Sequence, residues 1–250
     1  MIQQPLISVI LPTYNNEAFL RDALSSILRQ TYKNLEIIAI DDFSSDKSFE
    51  ILKQFVKEDK RLKISRNVKR YGMTMTLNRA LRNTKGKFIA FMNAQDINHP
   101  DRLNQQFAYL TAHEKVVAVG TQCIYLDSEN KKTGKSEFPT ENISIYKKPV
   151  NGLTLQFENM LLNKYRLPKD LLKFRTNKQH FLYADICIKL LQYGEIANLH
   201  KYLYFHRKTA TMYEPNESMI SIAKLWFRSI FIHDQMPSLK SLLLGNLKLN

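Results

Sequence analysis

Leu35-Glu36-Ile37-Ile38-Ala39-Ile40-Asp41-Asp42-Phe43-Ser44-Ser45-Asp46 is the stretch that decides the fold. Its first half is aliphatic and largely β-branched with little polar alternation, which reads as a strand buried on both faces. It stops at a polar, acidic turn whose Ser or Asp can cap a helix predicted over Lys47 to Val56. Upstream, Ile7-Ser8-Val9-Ile10-Leu11-Pro12 is another buried strand, and Glu17 to Gln30 places Phe19, Leu20, Ala23, Leu24, Ile27 and Leu28 on one helical face. Downstream, the pattern predicts a strand at Leu62 to Ser65, a helix at Met73 to Arg82 and a fourth strand at Lys87 to Met92. Strands alternating with helices at this spacing mean parallel strands joined by helical crossovers. Ligands of such sheets sit outside the carboxyl ends of the strands. Those ends are Thr13-Tyr14-Asn15, Asp41-Asp42, Arg66 to Gly72 and Asn93-Ala94-Gln95-Asp96.

The remainder of the chain is less regular. A helix is predicted from Pro100 to about His113, a strand over Val116 to Tyr125, and a loop or short hairpin over the polar residues 128 to 150. Apolar helical spacing returns at Leu153 to Leu162 and at Phe181 to Leu191. The predicted organisation is an α/β domain over 1–215, with a first half to about 127 and a second from 128, followed by a helical tail over 216–250.

Composition sets the outer bounds. The chain has 250 residues, 44% hydrophobic and 24% charged, with a formal net charge of +14. That apolar content excludes wholesale disorder. Seven glycines and two cysteines exclude collagen-like and disulfide-scaffold classes. Cys123 and Cys187 stand far apart with no C-x-x-C spacing, so reduced buried thiols are expected, as in a cytosolic protein. No secretory signal is visible and no apolar run reaches the ~20 residues that span a bilayer. The positive excess is compatible with nucleic acid, an anionic membrane face or phosphorylated substrates. A nucleic-acid binder would show an aromatic-basic stripe or a known motif, and neither is present.

The strand ends carry the candidate chemistry. Asp41-Asp42 places carboxylates where a ligand's hydroxyls or base edge would lie; helix capping by Asp42 and Asp46 is the structural alternative. Asn93-Ala94-Gln95-Asp96 holds one carboxylate, a poor donor set for a hard divalent cation.

These segments, in order, resemble the family 2 glycosyltransferases, which have the GT-A fold: a Rossmann-like, mainly parallel sheet flanked by helices. Ser8 to Asn15 resembles the opening strand and its nucleotide-contacting turn. Asp41-Asp42-Phe43-Ser44-Ser45-Asp46 is similar to the family's "DDGSTD", and Asn67, Gly72 and Asn78 to "N-x-G-x-x-x-A-x-N" with an extra residue pair before the glycine. Gly86 to Asp96 stands where the family has "G-x-Y-I-A-F-L-D-A-D-D". Tyr193-Gly194-Glu195-Ile196-Ala197 and Tyr202 to Arg207 resemble its closing segments.

The resemblance implies a transferase moving a sugar from a UDP-, GDP- or dTDP-linked donor to a glycan or lipid-linked acceptor of a surface polysaccharide, with inversion. It implies that Pro12, Thr13, Tyr14 and Asp42 bind the base, Tyr14 by stacking. Asn93, Gln95 and Asp96 fall at the ribose and metal positions, with Gln95 and Asp96 facing Mg²⁺ or Mn²⁺. Leu182-Tyr183 stand where the family has Glu-Asp, which leaves Asp185, or His180 in a shifted register, as the general base. Lys69, Arg70 and Arg102 are the cations that could replace metal charge at the diphosphate. The alternative reading is a non-catalytic domain of the same fold serving as a binding partner or scaffold. "Q-x-x-R-W" is absent, which argues against a chain-extending synthase. The stretch containing Ile220, Leu225, Trp226, Ile230 and Phe231, with Lys224 and Arg228, either closes the core or a dimer or lies on an anionic membrane face. The implied location is the cytoplasm or the inner face of the membrane.

Overall fold

The computed structural model describes residues 4–146, 155–174 and 182–207. Its N-terminal half alternates β1 (Ile7–Thr13), α1 (Leu20–Leu28), β2 (Leu35–Asp41), α2 (Ser48–Glu58), β3 (Leu62–Arg66), α3 (Met73–Arg82) and β4 (Phe88–Phe91). Then come β5 (Ile97–Asn98), α4 (Arg102–Ala112), β6 (Val116–Leu126), β7 (Lys132–Lys135), α5 (Asn142–Tyr146), β8 (Leu161–Asn163), α6 (Leu182–Leu190) and β9 (Glu195–Arg207). The strands form one sheet in the order β3-β2-β1-β4-β8-β6-β9-β5, with β7 paired to β6.

The expected parallel crossovers hold in the first half, where β3, β2, β1 and β4 all run parallel. The second half makes the sheet mixed: β8 runs antiparallel to β4 and β6, and β5 antiparallel to β9, while β6 and β9 are parallel. Every residue of β1 and β2 is buried, because helices cover both faces and alternate side chains enter different cores. Ile7, Val9 and Leu11 pack with Leu24 and Ile27 of α1 and Leu52 of α2. Ile10, Ile38 and Ile40 pack with Leu77 and Ala80 of α3 and Ile186 of α6.

One polar cluster lies inside the first half. Ser8 donates to Glu36 Oε1 at 2.6 Å, Lys85 N donates to the same oxygen at 2.7 Å, and Lys63 pairs with Oε2. Burial alone would raise the Glu36 pKa, but these donors hold it below the ordinary carboxylate value.

One expectation is corrected and another met. The helical spacing at Leu153 to Leu162 yields a single 3₁₀ turn at Phe157–Asn159 and then strand β8. Leu161 and Leu162 enter the two opposite cores, so the apolar run reflects burial on both sides, not one helical stripe. The Lys-rich segment after 128 forms a β6–β7 hairpin, with Asn130 at φ 67° in the left-handed region that Asn tolerates, and then α5. His180 and the expected tail over 216–250 lie outside the described residues.

Candidate active site

The carboxyl ends of β2, β1 and β4 are neighbours, so Asp41-Asp42, Thr13-Tyr14 and Asn93 to Asp96 share one edge of the sheet. β9 reaches the same edge with Tyr204 to Arg207, since it pairs in parallel with β6. The first two turns are interlocked: Asn15 N donates to Ser44 Oγ at 3.0 Å, Ser45 N to Asn15 Oδ1 at 2.9 Å and Asn16 N to Ser48 Oγ at 2.8 Å. Asn15 and Phe43 both adopt positive φ there.

Asp46 does cap α2, accepting from Ser48 N at 2.9 Å, and it also accepts from Glu17 N at 2.9 Å. Burial would raise its pKa, yet these donors lower it. Asp42 does something else. Its Oδ1 accepts from Asn67 Nδ2 at 2.6 Å and Tyr71 N at 2.8 Å, and its Oδ2 from Gly72 N at 2.7 Å. It therefore fastens the β3–α3 loop and the start of α3, where Gly72 sits at φ 85°. Oδ2 keeps a lone pair for a ligand N–H. Asp41 is fully buried against Ser44 and Arg66, whose Nε lies 3.0 Å from Oδ2.

Tyr14 is half-buried, and the Arg70 guanidinium lies 4.1 Å from its ring centroid. The face expected to stack on a base is thus covered by a cation of the β3–α3 loop. Pro12 and Thr13 are buried at the end of β1; Thr13 Oγ1 is buried with no partner among the described residues. The base-side residues Thr13, Tyr14 and Asp42 are brought together, as their strand ends require.

The Asn93–Asp96 turn departs from the expected metal site. Asp96 is fully buried, and it accepts from Tyr204 OH at 2.7 Å, Arg207 N at 2.8 Å and through an Oδ2–His206 Nδ1 contact of 3.0 Å. Both oxygens are thus engaged by β9 residues that stand at the same edge, which leaves the carboxylate little free for a metal or diphosphate. Asn93 and Gln95 are half-buried; Asn93 Oδ1 accepts from Gln95 N at 3.1 Å, and Gln95 Oε1 is buried without a partner among the described residues. Two neutral amide oxygens, with the sole carboxylate consumed, do not fit a hard divalent cation. No group of three or more His, Cys, Asp or Glu among the described residues could hold one.

Arg102 is also corrected. It is wholly buried, reaching Phe91 O at 3.3 Å, and burial lowers its pKa to about 10; it cannot meet a diphosphate. Lys69 and Arg70 remain exposed at the edge. The Glu-Asp positions have become packing: Leu182 is buried, and Tyr183 stacks on Phe157 with centroids 4.5 Å apart. Asp185 lies on α6.

Sequence reading missed Glu158. The 3₁₀ turn carrying it abuts the end of β4, since Phe157 packs on Phe91 at 4.6 Å and Phe91 N donates to Met160 O at 3.1 Å. Glu158 accepts from Gln156 Nε2 at 2.5 Å, and burial, followed by the Asp96 charge, raises its pKa. A lone Glu in an apolar run is an anomaly for a core segment, and that was the available signal. A cavity of about 640 Å³ lies elsewhere, at the opposite edge by Val116, Asn142 and Glu195.

The sheet order, with strand ends converging on Tyr14 and Asp42, defines an α/β protein of the GT-A class. The chain belongs to glycosyl transferase family 2, whose family model matches residues 8–181. An uncharacterized glycosyltransferase of Haemophilus influenzae is 28% identical over 210 residues, 78% of this chain and 82% of that protein. The Escherichia coli UDP-Glc:alpha-D-GlcNAc-diphosphoundecaprenol beta-1,3-glucosyltransferase WfgD is 32% identical over 72% of this chain and 69% of its own length. S. aureus TarS in complex with UDP-GlcNAc superposes with a TM-score of 0.73 at 19% identity, covering 91% of this chain and 67% of TarS. The mannosyltransferase PcManGT from Pyrobaculum calidifontis, in complex with GDP-Man and Mn²⁺, gives 0.70 at 18% identity over 98% and 69%.

Proposed function

We propose that this chain transfers a sugar, with inversion, from a nucleotide-sugar to a glycan or lipid-linked acceptor in surface-polysaccharide synthesis. The observation that carries the proposal is the convergence of Thr13, Tyr14 and Asp42 on the edge where GT-A proteins bind nucleotides. Family membership supports it, as do WfgD, named for a diphosphoundecaprenol acceptor, and TarS, which holds UDP-GlcNAc.

In this reading the base stacks on Tyr14 and gives an N–H to Asp42 Oδ2, and Thr13 Oγ1 takes a further base or ribose contact. Asn93 contacts the ribose. Because the Asn93–Asp96 donor set does not fit Mg²⁺ or Mn²⁺, Lys69 and Arg70 meet the negative charge developing on the diphosphate. Arg70 leaves the Tyr14 ring when the base arrives. Asp185 is the general base on the acceptor hydroxyl, with Glu158 as the second candidate because its raised pKa suits proton abstraction nearer neutrality. The chain works in the cytoplasm or at the inner membrane face.

A donor-hydrolysis and transfer screen over UDP-, GDP- and dTDP-sugars, with EDTA or Mn²⁺, tests this. Turnover that survives EDTA and falls at least about a hundredfold in Asp185→Asn or Glu158→Gln supports it. Strict Mn²⁺ dependence overturns the cationic account. A second reading, a non-catalytic partner or scaffold, is favoured by the conversion of the Glu-Asp positions to Leu182 and Tyr183; nucleotide binding without turnover of any donor would select it.

A further inference from the structure

Asp42 is committed to three donors within the chain. Its Oδ1 accepts from both Asn67 Nδ2 and Tyr71 N, which fills the lone pairs of that oxygen, and its Oδ2 accepts from Gly72 N. Asn67 is itself fixed: Nδ2 also donates to Thr76 Oγ1 at 3.1 Å, and its Oδ1 accepts from Arg79 Nη1 at 2.5 Å. Of the roughly four acceptor sites of a carboxylate, the one left to a ligand is on Oδ2.

The surroundings of that acceptor are rich in donors. Gly72 opens α3 without a side-chain cap, and the first turn of the helix contains no acid. The positive end of the helix therefore stands beside Oδ2. In the same turn Thr74 Oγ1 is buried, with no partner among the described residues.

Bases differ in what they bring to such a pattern. Uracil and thymine present a single N–H between two carbonyls, which suits one acceptor among donors. Guanine presents N1–H and N2–H₂ side by side, and the filled Oδ1 leaves the second donor unpaired. Cytosine and adenine put a ring-nitrogen lone pair where the N–H should be, facing the lone pair of Oδ2. The fold by itself leaves the base open, since TarS holds UDP-GlcNAc and PcManGT holds GDP-Man.

We infer that the donor of this chain carries an imide pyrimidine, uracil or thymine, with its N3–H on Asp42 Oδ2 and a flanking carbonyl on Thr74 Oγ1. The inference rests on the proposed donor edge and names the substrate class of that edge.

Calorimetric titration of the full 250-residue chain with UDP, CDP, GDP and ADP, which share ribose and diphosphate, tests it, with dTDP and dCDP as the deoxy pair. UDP should bind at least about tenfold more tightly than CDP, GDP and ADP, and dTDP likewise against dCDP. Thr74→Val keeps the shape of the side chain and removes a buried hydroxyl, so the melting temperature should not fall. Its UDP affinity should drop about threefold to tenfold while pyrophosphate affinity stays unchanged. In Asp42→Asn the new amide can donate to cytosine N3, so the UDP-over-CDP preference should shrink at least about tenfold even where both bind more weakly. GDP or CDP binding as tightly as UDP, or wild-type UDP affinity in Thr74→Val, overturns the inference and leaves the donor edge standing. Failure of every nucleotide to bind overturns the donor edge, and the inference with it.

Discussion

Asp96 receives a hydroxyl from Tyr204, a backbone amide from Arg207 and a contact with the His206 imidazole, all in a fully buried setting. Removing its carboxylate leaves those buried groups without their acceptor. Asp96→Ala should therefore cost about 3–5 kcal/mol of stability, seen as a lowered denaturation midpoint with or without Mn²⁺. Glu158 yields a prediction of the opposite sign. Its folded pKa is raised, so the folded state keeps a proton that the unfolded state has released, and rising pH destabilises the protein from about 4.3 up to the folded value. Glu158→Gln should melt higher than wild type at pH 7, and the advantage should vanish below about pH 4. Melting curves across that range check it. Both residues show where sequence stops being informative. That Asp96 lies in the turn after β4 was legible; that its carboxylate turns into β9 depends on a partner strand more than a hundred positions away in the chain.

Elements were legible where one face is buried and the other is wet, as in α3, which occupies the predicted Met73 to Arg82, or where a run buried on both faces is long and ends in a turn, as in β2, which stops where its acidic turn begins. β8 was not legible, because three residues are too few to show either a run or a period. The glycine before β4 illustrates a constraint that sits between elements. A Cβ on Gly86 would lie 2.6 Å from both Ser8 N and Ser8 Oγ and 2.8 Å from Leu6 O. Two of those atoms are backbone, so the contact cannot be relieved by a rotamer. The β1–β4 pairing and the Gly86 N–Ser8 Oγ bond of 2.8 Å that supports the Glu36 cluster would both have to shift. Gly86→Ala should destabilise by about 1–3 kcal/mol, measured by urea denaturation at unchanged m-value.

At the scale of the whole molecule, the positive excess and the donor edge converge. The acid-free stretch from Lys60 to Gln95 runs through the β3–α3 loop and ends in the Asn93–Asp96 turn, so cations face the place where a diphosphate would lie while the usual carboxylates are replaced or buried. A ligand that binds only the folded state stabilises the entire chain, by about 2.7 kcal/mol at a hundred times its dissociation constant. If Lys69 and Arg70 supply the counter-charge, UDP should raise the melting temperature equally in EDTA and in Mn²⁺, and the rise should shrink as salt screens the exposed cations. Arg70→Ala separates its two roles. It uncovers Tyr14, so uridine, which has no phosphate, should stabilise the variant at least as well as wild type. UDP should stabilise it less, because the variant has lost a cation at the diphosphate. A variant that lost both responses equally would place Arg70 in the architecture of the loop and leave the diphosphate to other groups.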